Sequence, residues 1–318
     1  MIINDKIYGQ VKVEEPILVK LIKSSSILRL KSISQFGIPD EFYHFKGYSR
    51  YEHSLGVMIL LGKLGASLEE QVAGLLHDVS HLAFSHVADW VFARGAEGNE
   101  DYHDNLQKHF LEKTEIPKIL ERNGFSLEKV TNKEIFSLLK KEIPDLCADR
   151  LDYSLREFKD WLNPKAVKPV LRSVVNCKNE IVFTNQKAAA NFARNFLQLQ
   201  IRHWASPLTI RKYFLFSKAL KFALRKKIIS KQDFFEDEIF ILKKIKKSNH
   251  RTIVNILEAT KNNIYHKNKD GKVVVKKFRY VDPKILVNDI LVRLSEINPK
   301  FKKLSSREKK KNRKGILV

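Results

Sequence analysis

The chain has 318 residues, of which 43% are hydrophobic and 30% are charged, a composition typical of a soluble globular protein. It excludes wholesale disorder, a collagen-like repeat and a membrane bundle. The formal net charge of +23 is unevenly distributed, because residues 1–160 hold 21 Lys and Arg against 25 Asp and Glu, whereas residues 161–318 hold 38 against 11. The two halves therefore differ in electrostatic character.

Cysteine content and hydropathy indicate the compartment. Cys147 and Cys177 are too few to stabilise a chain of this size by disulfides, and the first residues show no signal-peptide pattern. The longest apolar runs, such as residues 57–61, are far shorter than the roughly 20 residues that cross a bilayer. We therefore expect a cytoplasmic protein that is not inserted in a membrane.

Apolar residues that recur three and four positions apart predict a mainly helical chain. An opening strand or turn at residues 2–13 is followed by predicted helices at 16–34, 50–66, 67–77, 80–93, 102–112, 132–142, 146–160 and 186–229. β-branched and aromatic residues predict strands at 180–184 and 272–281. Residues 300–315 are dominated by Lys and Arg without apolar periodicity, which predicts a mobile tail.

Histidines cluster in the first half of the chain, where six of the ten lie between residues 53 and 109. His77 and Asp78 are adjacent near the end of an apolar helix, and His81 follows one turn later on the same side. Imidazole and carboxylate together suit a divalent metal ion, and an incomplete protein ligand set leaves positions for water and substrate. A helix cap at residues 77 and 78 would explain the dipeptide equally well.

Two further segments favour the metal site. Arg50 and His53 lie together at the start of an apolar helix. Farther along, acidic and aromatic side chains recur at four-residue intervals and so share one helix face. These residues are Asp149, Tyr153 and Glu157, with Arg150 beside the first of them. An exposed, ion-paired face would tolerate this pattern, but the apolar residues 146–148 indicate partial burial of Asp149, and a buried carboxylate requires a cation.

The order of His53, His77-Asp78 and Asp149 resembles the H…HD…D signature of HD-domain metal-dependent phosphohydrolases. The strings "SRYEHSLGV", "AGLLHDVSHLAFSH" and "ADRLDYSLRE" resemble the deoxynucleoside triphosphate triphosphohydrolase branch, which includes bacterial dGTPases and the sterile-alpha-motif-and-HD enzymes. The resemblance covers residues 5–160 well and extends loosely to about residue 245. It implies a mainly α HD-domain helical bundle with few short strands and a basic, largely helical C-terminal half.

The resemblance also implies a division of the chain and roles for single residues. The expected parts are an HD-domain catalytic core at 1–165, a basic helical region packed on it at 166–298, and the tail at 299–318. The implied ligands of a divalent metal (Mn, Mg, Fe, Co, Ni or Zn) are His53, His77, Asp78 and Asp149. The implied catalytic residues are His81, His86, His103 and Asp104, and the implied substrate-binding residues are Arg50, Arg150, Tyr153 and Glu157. Compared with the branch, Asp104 replaces a typical glutamate and Glu157 a common aspartate.

The implied activity is hydrolysis of a nucleotide at the α-phosphate, which releases nucleoside and triphosphate, by a chain that assembles with copies of itself. The alternatives are an HD-type phosphatase or phosphodiesterase, a di-iron oxygenase, and a non-catalytic regulator that binds nucleotide or nucleic acid. Clusters of Lys and Arg after residue 160 suit nonspecific binding of nucleic acid, although a solvated basic face or a coding bias produces the same composition.

Overall fold

The computed structural model describes residues 1–92, 102–265 and 273–318, apart from the side chains of residues 102–106 and Lys133. The fold is mainly helical with short strands, as predicted. At its start, strands β1 (Ile2–Asp5) and β2 (Gly9–Lys12) form an antiparallel hairpin. None of the helices in these described ranges is both long and apolar enough to cross a membrane.

The helices of the first half carry the predicted metal ligands. They are α1 (Pro16–Ile22), α2 (Ser25–Arg29), α3 (Arg50–Lys63), α4 (Leu68–Leu76), α5 (Ser85–Phe92), α6 (Tyr102–Glu112), α7 (Ile116–Glu121), α8 (Leu127–Thr131), α9 (Ala148–Glu157) and α10 (Val167–Leu171). Helix α3 begins at a capping box, in which the Ser49 side chain accepts from the Glu52 N–H and the Glu52 carboxylate accepts from the Ser49 N–H. Ser67 caps α4 by accepting from the N–H of Glu70. These caps determine where α3 and α4 start.

The prediction of a helix at residues 132–142 is wrong. This segment holds a 3₁₀ turn at Lys133–Ile135 and irregular turns. The reason lies in Glu70, whose Oε1 accepts hydrogen bonds from the N–H groups of Leu138 and Leu139 at 2.8 and 2.9 Å. A side chain from α4 therefore satisfies backbone donors that a helix would have used.

The second half continues with α11 (Gln186–Leu199), α12 (Pro207–Arg225), α13 (Glu238–Ser248), α14 (Arg251–Lys261), α15 (Leu294–Ile297) and α16 (Pro299–Asn312). The long helix predicted at 186–229 is interrupted, because a π-helical turn at Gln200–Trp204 leads to Ser206. The Ser206 side chain accepts from the N–H of Thr209, and Pro207 occupies the first helical position. A new helix therefore starts there.

Strands β3 (Val174–Cys177), β4 (Glu180–Phe183), β6 (Lys284–Val287) and β7 (Ile290–Arg293) form one sheet in that order. Strands β4 and β6 are parallel, and the other two pairings are antiparallel. The strand predicted at 180–184 is confirmed by β4. Of the strand predicted at 272–281, residue 272 lies outside the described residues and only β5 (Val273–Val274) is extended and paired, with β8 (Ile316–Leu317).

The end of the chain differs from the predicted mobile tail. Residues 299–312 form α16, whose first turn is capped by the Asn298 side chain as it accepts from the N–H of Phe301. Phe301 is 1% exposed and belongs to the core shared with α11 and α15. A single buried aromatic residue is enough to dock this helix, but it creates no periodic pattern in the sequence. The boundaries proposed at residues 165 and 298 stay predictions.

Two hydrophobic cores hold these elements together. The first joins α1–α4, α9 and α11 with the strands, and the second joins α5, α12, α13 and α14. Phe84, which follows the His77-Asp78 dipeptide closely, packs in the second core against Phe216 with ring centroids 5.2 Å apart. The segment that carries the metal ligands thus runs from one core to the other.

Candidate metal centre and substrate cavity

The predicted metal ligands converge from three helices. His53 lies in α3, His77 and Asp78 follow α4, and Asp149 lies in the first turn of α9. Nε2 of His53 is 3.2 Å and Nε2 of His77 is 3.9 Å from Oδ1 of Asp149, and Oδ1 of Asp78 lies 3.4 Å from His77 Nε2. Donor atoms of His53, His77 and Asp149 all lie within 4.8 Å of one another. We call these four residues the metal-ligand cluster.

Both imidazoles of the cluster are oriented by partners on their outer side. Nδ1 of His53 is 2.7 Å from Oδ2 of Asp152, and Nδ1 of His77 is 2.7 Å from the carbonyl oxygen of Gly74. Because both partners are acceptors, each Nδ1 carries a proton, and each Nε2 faces the cluster, where it could bind a metal ion in its deprotonated form. This arrangement is typical of metal-bound histidine, and the donor set fits a divalent ion.

Asp152 is the centre of a buried hydrogen-bond network behind His53. Its carboxylate accepts from the hydroxyl of Tyr8 at 2.9 Å and from Nε of Arg156 at 2.8 Å. Arg156 also donates to Oδ2 of Asp5 at 2.7 Å, which ties α9 to the N-terminal hairpin. Sequence reasoning missed Asp152 and Arg156. The sequence does contain a signal for Asp152. Its carboxylate follows Asp149 by three residues in a predicted helix, and this spacing places both carboxylates near His53.

The guanidinium of Arg50 fixes the position of the Asp78 carboxylate. Its NH1 donates to Oδ2 of Asp78, and its Nε donates to the Ser85 hydroxyl at 2.7 Å. Burial raises the pKa of Asp78, but the Arg50 guanidinium and the nearby imidazoles outweigh it and hold the pKa well below the usual value. Arg50 was predicted to bind substrate. It lines the cavity and is 2% exposed, and its bonds to Asp78 and Ser85 fix the position of the Asp78 carboxylate, while the predicted substrate contact stays a prediction.

The electrostatics of the cluster call for a cation. Burial alone would lower the pKa of His53, but its hydrogen bonds with Asp149 and Asp152 raise that pKa to about 9. Burial likewise raises the pKa of Asp149, which the bond to His53 and the charge of His77 lower below the usual value. The carboxylates therefore stabilise positive charge at this point, and a bound divalent ion would replace the proton on His53.

The loop from residue 79 to residue 85, here called the HD loop, has an unusual backbone. Phe84 and Ser85 have positive φ values of 66° and 39°. Oε1 of Glu238 accepts from the N–H of Phe84 at 3.2 Å and from the N–H of Ser34 at 2.9 Å. Burial raises the pKa of Glu238 to about 7, against the lowering effect of these hydrogen bonds. The start of α13 thus fixes the loop on which Arg50 and Asp78 depend.

Two of the predicted catalytic residues line the cavity beside the cluster. His81 Nε2 lies 3.3 Å from Oδ1 of Asp78, and His86 Nδ1 lies 3.2 Å from Oδ2 of Asp89. Asp89 was not predicted from the sequence, although its spacing of three from His86 in α5 signals the pair. Residues 103 and 104 belong to α6, and their side chains lie outside the described residues. The roles predicted for His103 and Asp104 stay predictions.

The cluster opens into a cavity of about 510 Å³. Tyr153 and Glu157, both predicted to bind substrate, line it on α9 together with Trp204. The indole N–H of Trp204 donates to Glu157 at 2.9 Å, and burial raises the pKa of Glu157 to about 8. The aromatic residues that line the cavity are Phe36, Tyr43, Tyr153, Trp204 and Tyr213.

Cationic side chains from both halves of the chain also line the cavity. They are Arg50, Lys140, Lys141, Arg150, Lys276, Lys277 and Arg279. Arg150, predicted to bind substrate, donates from NH1 to the carbonyl of Asp145 and from NH2 to that of Lys141 at 3.1 Å. The guanidinium of Arg150 therefore stabilises the loop that carries Lys140 and Lys141. The contribution of Lys276, Lys277 and Arg279 was not foreseen from the sequence.

Comparison with known proteins agrees with this geometry. The HD domain family matches residues 50–153. An uncharacterized Bacillus subtilis protein, YdhJ, is 34% identical over 324 residues, which cover 100% of this chain and 98% of the relative. The metal-dependent phosphohydrolase cns2 of Cordyceps militaris is 37% identical over 221 residues, 67% of this chain and 63% of that protein. The deoxynucleoside triphosphate triphosphohydrolase SAMHD1 of Gallus gallus is 31% identical over 150 residues, 40% of this chain and 24% of that protein.

Solved structures show the same fold at low sequence identity. A hypothetical protein from Aquifex aeolicus superposes with a TM-score of 0.68 at 18% identity, over 95% of this chain and 93% of the other. A phosphohydrolase from Bacteroides thetaiotaomicron superposes with a TM-score of 0.68 at 16% identity, over 93% and 94%. The chain belongs to the HD-domain family of metal-dependent phosphohydrolases. Its members carry a divalent metal, for which His53, His77 and Asp149 are correctly placed here.

Proposed function

We propose that this protein is a deoxynucleoside triphosphate triphosphohydrolase, which splits its substrate into nucleoside and triphosphate. The observation that carries the proposal is the junction of the metal-ligand cluster with one cavity of about 510 Å³ whose lining combines aromatic rings and cationic side chains. Small-molecule sites commonly measure about 300–1,000 Å³. Aromatic rings suit a base, and cations suit a phosphate chain.

The reaction breaks the bond between the α-phosphorus and the 5′ oxygen as a water oxygen bonds to phosphorus. A divalent ion bound by the cluster would polarise a phosphoryl oxygen and lower the pKa of a coordinated water. Asp152 and Gly74 keep the two imidazoles turned inward, and Arg50 keeps Asp78 ionised and in place. The site is thus arranged before substrate arrives, which lowers the cost of organising it.

The leaving 5′ oxygen requires a proton, and in this proposal His86 supplies it. Its side chain is 23% exposed and lines the cavity, and Asp89 accepts a hydrogen bond from Nδ1. With Nδ1 bound to a carboxylate, Nε2 of the imidazolium can donate to the leaving oxygen, and Asp89 stabilises the charged ring. Asp89 acts through His86 and is therefore a positioning residue.

Residues of α9 face the nucleoside part of the substrate in this proposal. Glu157 has a pKa of about 8, so it is protonated near neutral pH and can donate a hydrogen bond to a sugar hydroxyl. Tyr153 and Trp204 offer flat surfaces next to it, with ring centroids 5.7 Å apart. The match to SAMHD1 supports this assignment for the part of the chain that it covers.

The experiment is a panel of deoxynucleotides and nucleoside monophosphates with Mn²⁺, Mg²⁺, Co²⁺, Ni²⁺ or Fe²⁺, in which phosphate, pyrophosphate and triphosphate are quantified separately. We expect equal amounts of nucleoside and triphosphate. Substituting His77→Ala together with Asp78→Ala should reduce the rate by about a thousandfold or more, since the activated water is lost. His109→Ala, a change of an exposed histidine in α6, should leave the rate unchanged.

Other products would assign a different chemistry. Phosphate released only from monophosphates would replace the proposal by an HD-type phosphatase, and cleavage of diesters would indicate a phosphodiesterase. Two irons per chain without phosphate release would indicate the oxygenase. Nucleotide binding without any product would support a regulator.

A further inference from the structure

Residues 275–283, here called the strap, connect β5 to β6 without regular secondary structure. Lys276, Lys277 and Arg279 of the strap line the same cavity as Asp78 and Asp149 of the metal-ligand cluster. This is the point at which the basic half of the chain reaches the active site. The strap lies far outside the match to the HD domain family, which ends at residue 153.

The first end of the strap is tied to the last helix and strand of the described chain. Strand β5 pairs with β8, and the side-chain amide of Asn312 donates to the carbonyl of Lys276 at 2.7 Å. Nε2 of Gln200 donates to the carbonyl of Lys277 and to Oδ1 of Asn312, both at 3.2 Å. These bonds use the backbone of the strap and direct its course along the cavity.

The second end is tied to residues 140–145, here called the rim loop. The N–H of Asp282 donates to the carbonyl of Pro144 at 3.0 Å. Arg293 bridges the two segments, since NH1 donates to the Asp282 carbonyl at 3.0 Å and pairs with Oδ1 of Asp145 at 2.7 Å. The strap and the rim loop are therefore one connected edge of the cavity.

Positive charge is concentrated along this edge. Lys140 and Lys141 come from the rim loop, and the three cations of the strap face the same cavity. Lys276 is 6% exposed, and its ammonium lies 5.0 Å from the ring centroid of Tyr213, where a cation–π contact holds it. Arg279 lines the cavity together with Tyr153 and Glu157 of α9.

We propose that the strap and the rim loop together form a subsite for the distal phosphates of a polyphosphate chain. The inference rests on the proposed function and deepens it, because it names the residues that would select a triphosphate over a monophosphate. A triphosphate carries its additional negative charges on the β- and γ-phosphates, away from the bond that breaks. A monophosphate would occupy the metal-ligand cluster and leave this edge without a ligand.

Binding of inorganic anions tests the subsite without any nucleotide hydrolysis. Calorimetric titration of the Mg²⁺-loaded full chain would compare inorganic triphosphate with inorganic phosphate. For Lys277→Gln combined with Arg279→Gln we expect about a tenfold weaker triphosphate affinity, about 1.4 kcal/mol. Phosphate affinity should change less than about threefold, because phosphate would bind at the cluster.

Matched variants separate the subsite from general charge and from misfolding. Lys302→Gln with Lys303→Gln removes two exposed charges of α16 that do not line the cavity, and should leave triphosphate affinity unchanged. Lys277→Arg combined with Arg279→Lys keeps both charges and should restore most of the affinity. Asn312→Ala removes a bond to the strap backbone and should weaken triphosphate binding alone.

Equal loss of triphosphate affinity in the α16 control would overturn the proposal, as would wild-type affinity in the strap variant. This test and the nucleotide panel can fail separately. A folded protein that binds triphosphate through the strap but yields only phosphate from monophosphates would contradict the proposed function and keep the subsite. Triphosphate release with unchanged binding in the strap variant would keep the function and remove the subsite.

Discussion

The surroundings of the metal-ligand cluster and the cationic edge of the cavity are built in opposite ways. Asp152 and Arg156 are 0% exposed, and each charge faces an opposite charge at hydrogen-bond distance. Lys277 and Lys140 are exposed and are carried by segments without regular structure. Buried paired charges are costly to disturb, whereas exposed ones contribute little to stability. The catalytic centre is therefore coupled to folding, and the edge is free to serve binding.

The largest effect is expected where the buried network is cut. Asp152→Asn keeps the shape of the side chain but leaves Arg156 without its full partner, which should cost about 3–5 kcal/mol of unfolding free energy. The affinity for metal should fall about 10- to 100-fold, because His53 loses its orienting carboxylate. Urea unfolding and metal titration measure the two effects.

A second aspartate in the same region provides the control. Asp160 pairs with Lys6 at 2.6 Å on the surface, so Asp160→Asn should cost at most about 1 kcal/mol. Similar unfolding midpoints for the two variants would contradict the contrast between buried and exposed charge.

Glu238 should make the stability of the HD loop depend on pH. Its folded pKa of about 7 lies above the usual value of 4.5, so the folded protein holds a proton that the unfolded chain releases. Stability should therefore fall as pH rises from about 4.5 to 7, and Glu238→Gln should remove this loss, on the order of 2–3 kcal/mol at pH 8. Thermal unfolding between pH 5 and 8 measures the slopes.

The exposed neighbour Glu236 is the matched residue, and Glu236→Gln should keep the wild-type slope. If the Glu238→Gln protein lost stability with pH as steeply as the wild type, another group would be responsible.

Gly56 lies where α3 packs closely against the buried network of Asp152 and Arg156. A Cβ atom there would lie 2.0 Å from Oδ1 of Asp152 and 2.1 Å from NH2 of Arg156. Gly56→Ala should therefore destabilise the protein by about 1–3 kcal/mol, although alanine favours helix. At Gly62 of the same helix the nearest atom is the flexible end of Gln71, at 3.1 Å, so Gly62→Ala should be neutral or stabilising. Denaturant midpoints that fell equally in both variants would disprove this packing argument.

The smallest effect on stability is expected at the rim loop. Lys140→Gln combined with Lys141→Gln should change unfolding free energy by no more than about 0.5 kcal/mol. The KM for a deoxynucleoside triphosphate should rise about three- to tenfold at low salt, and the difference should shrink at high salt, where exposed charges are screened. Steady-state kinetics at two salt concentrations measure this, and a change in kcat with unchanged KM would contradict a binding role.

Much of the first half was predictable because caps and periodicity agree there. Ser49 and Glu52 mark the start of α3, and the apolar positions of α3, α4 and α9 recur at helical spacing. The prediction failed at residues 132–142, where Glu70 takes over the backbone donors, and at Ser206, where a cap divides the long predicted helix. A long-range contact decided the first place, and local pattern does not record it, whereas the Ser206-Pro207 start of α12 is a local signal that the helical periodicity outweighed.

The candidate site likewise has residues that were predictable from the sequence and residues that were not. His53, His77-Asp78 and Asp149 were predicted as ligands because their spacing resembles a family signature, and the structure groups His53, His77 and Asp149 as a possible metal site. The predicted substrate residues Arg150, Tyr153 and Glu157 line the cavity. Lys276, Lys277 and Arg279 were missed, since only the folded chain brings residues so distant in sequence to the cluster. Homo-oligomer formation, nucleic-acid binding and the cytoplasmic location stay predictions.

The bond from Asn312 to the strap has a consequence for how this protein could change over evolutionary time. The residues of the metal-ligand cluster lie at or before position 149, whereas the strap begins at residue 275 and is tied to Asn312. Substitutions in the strap or at Asn312 would therefore change the proposed phosphate subsite without altering any residue of the metal-ligand cluster.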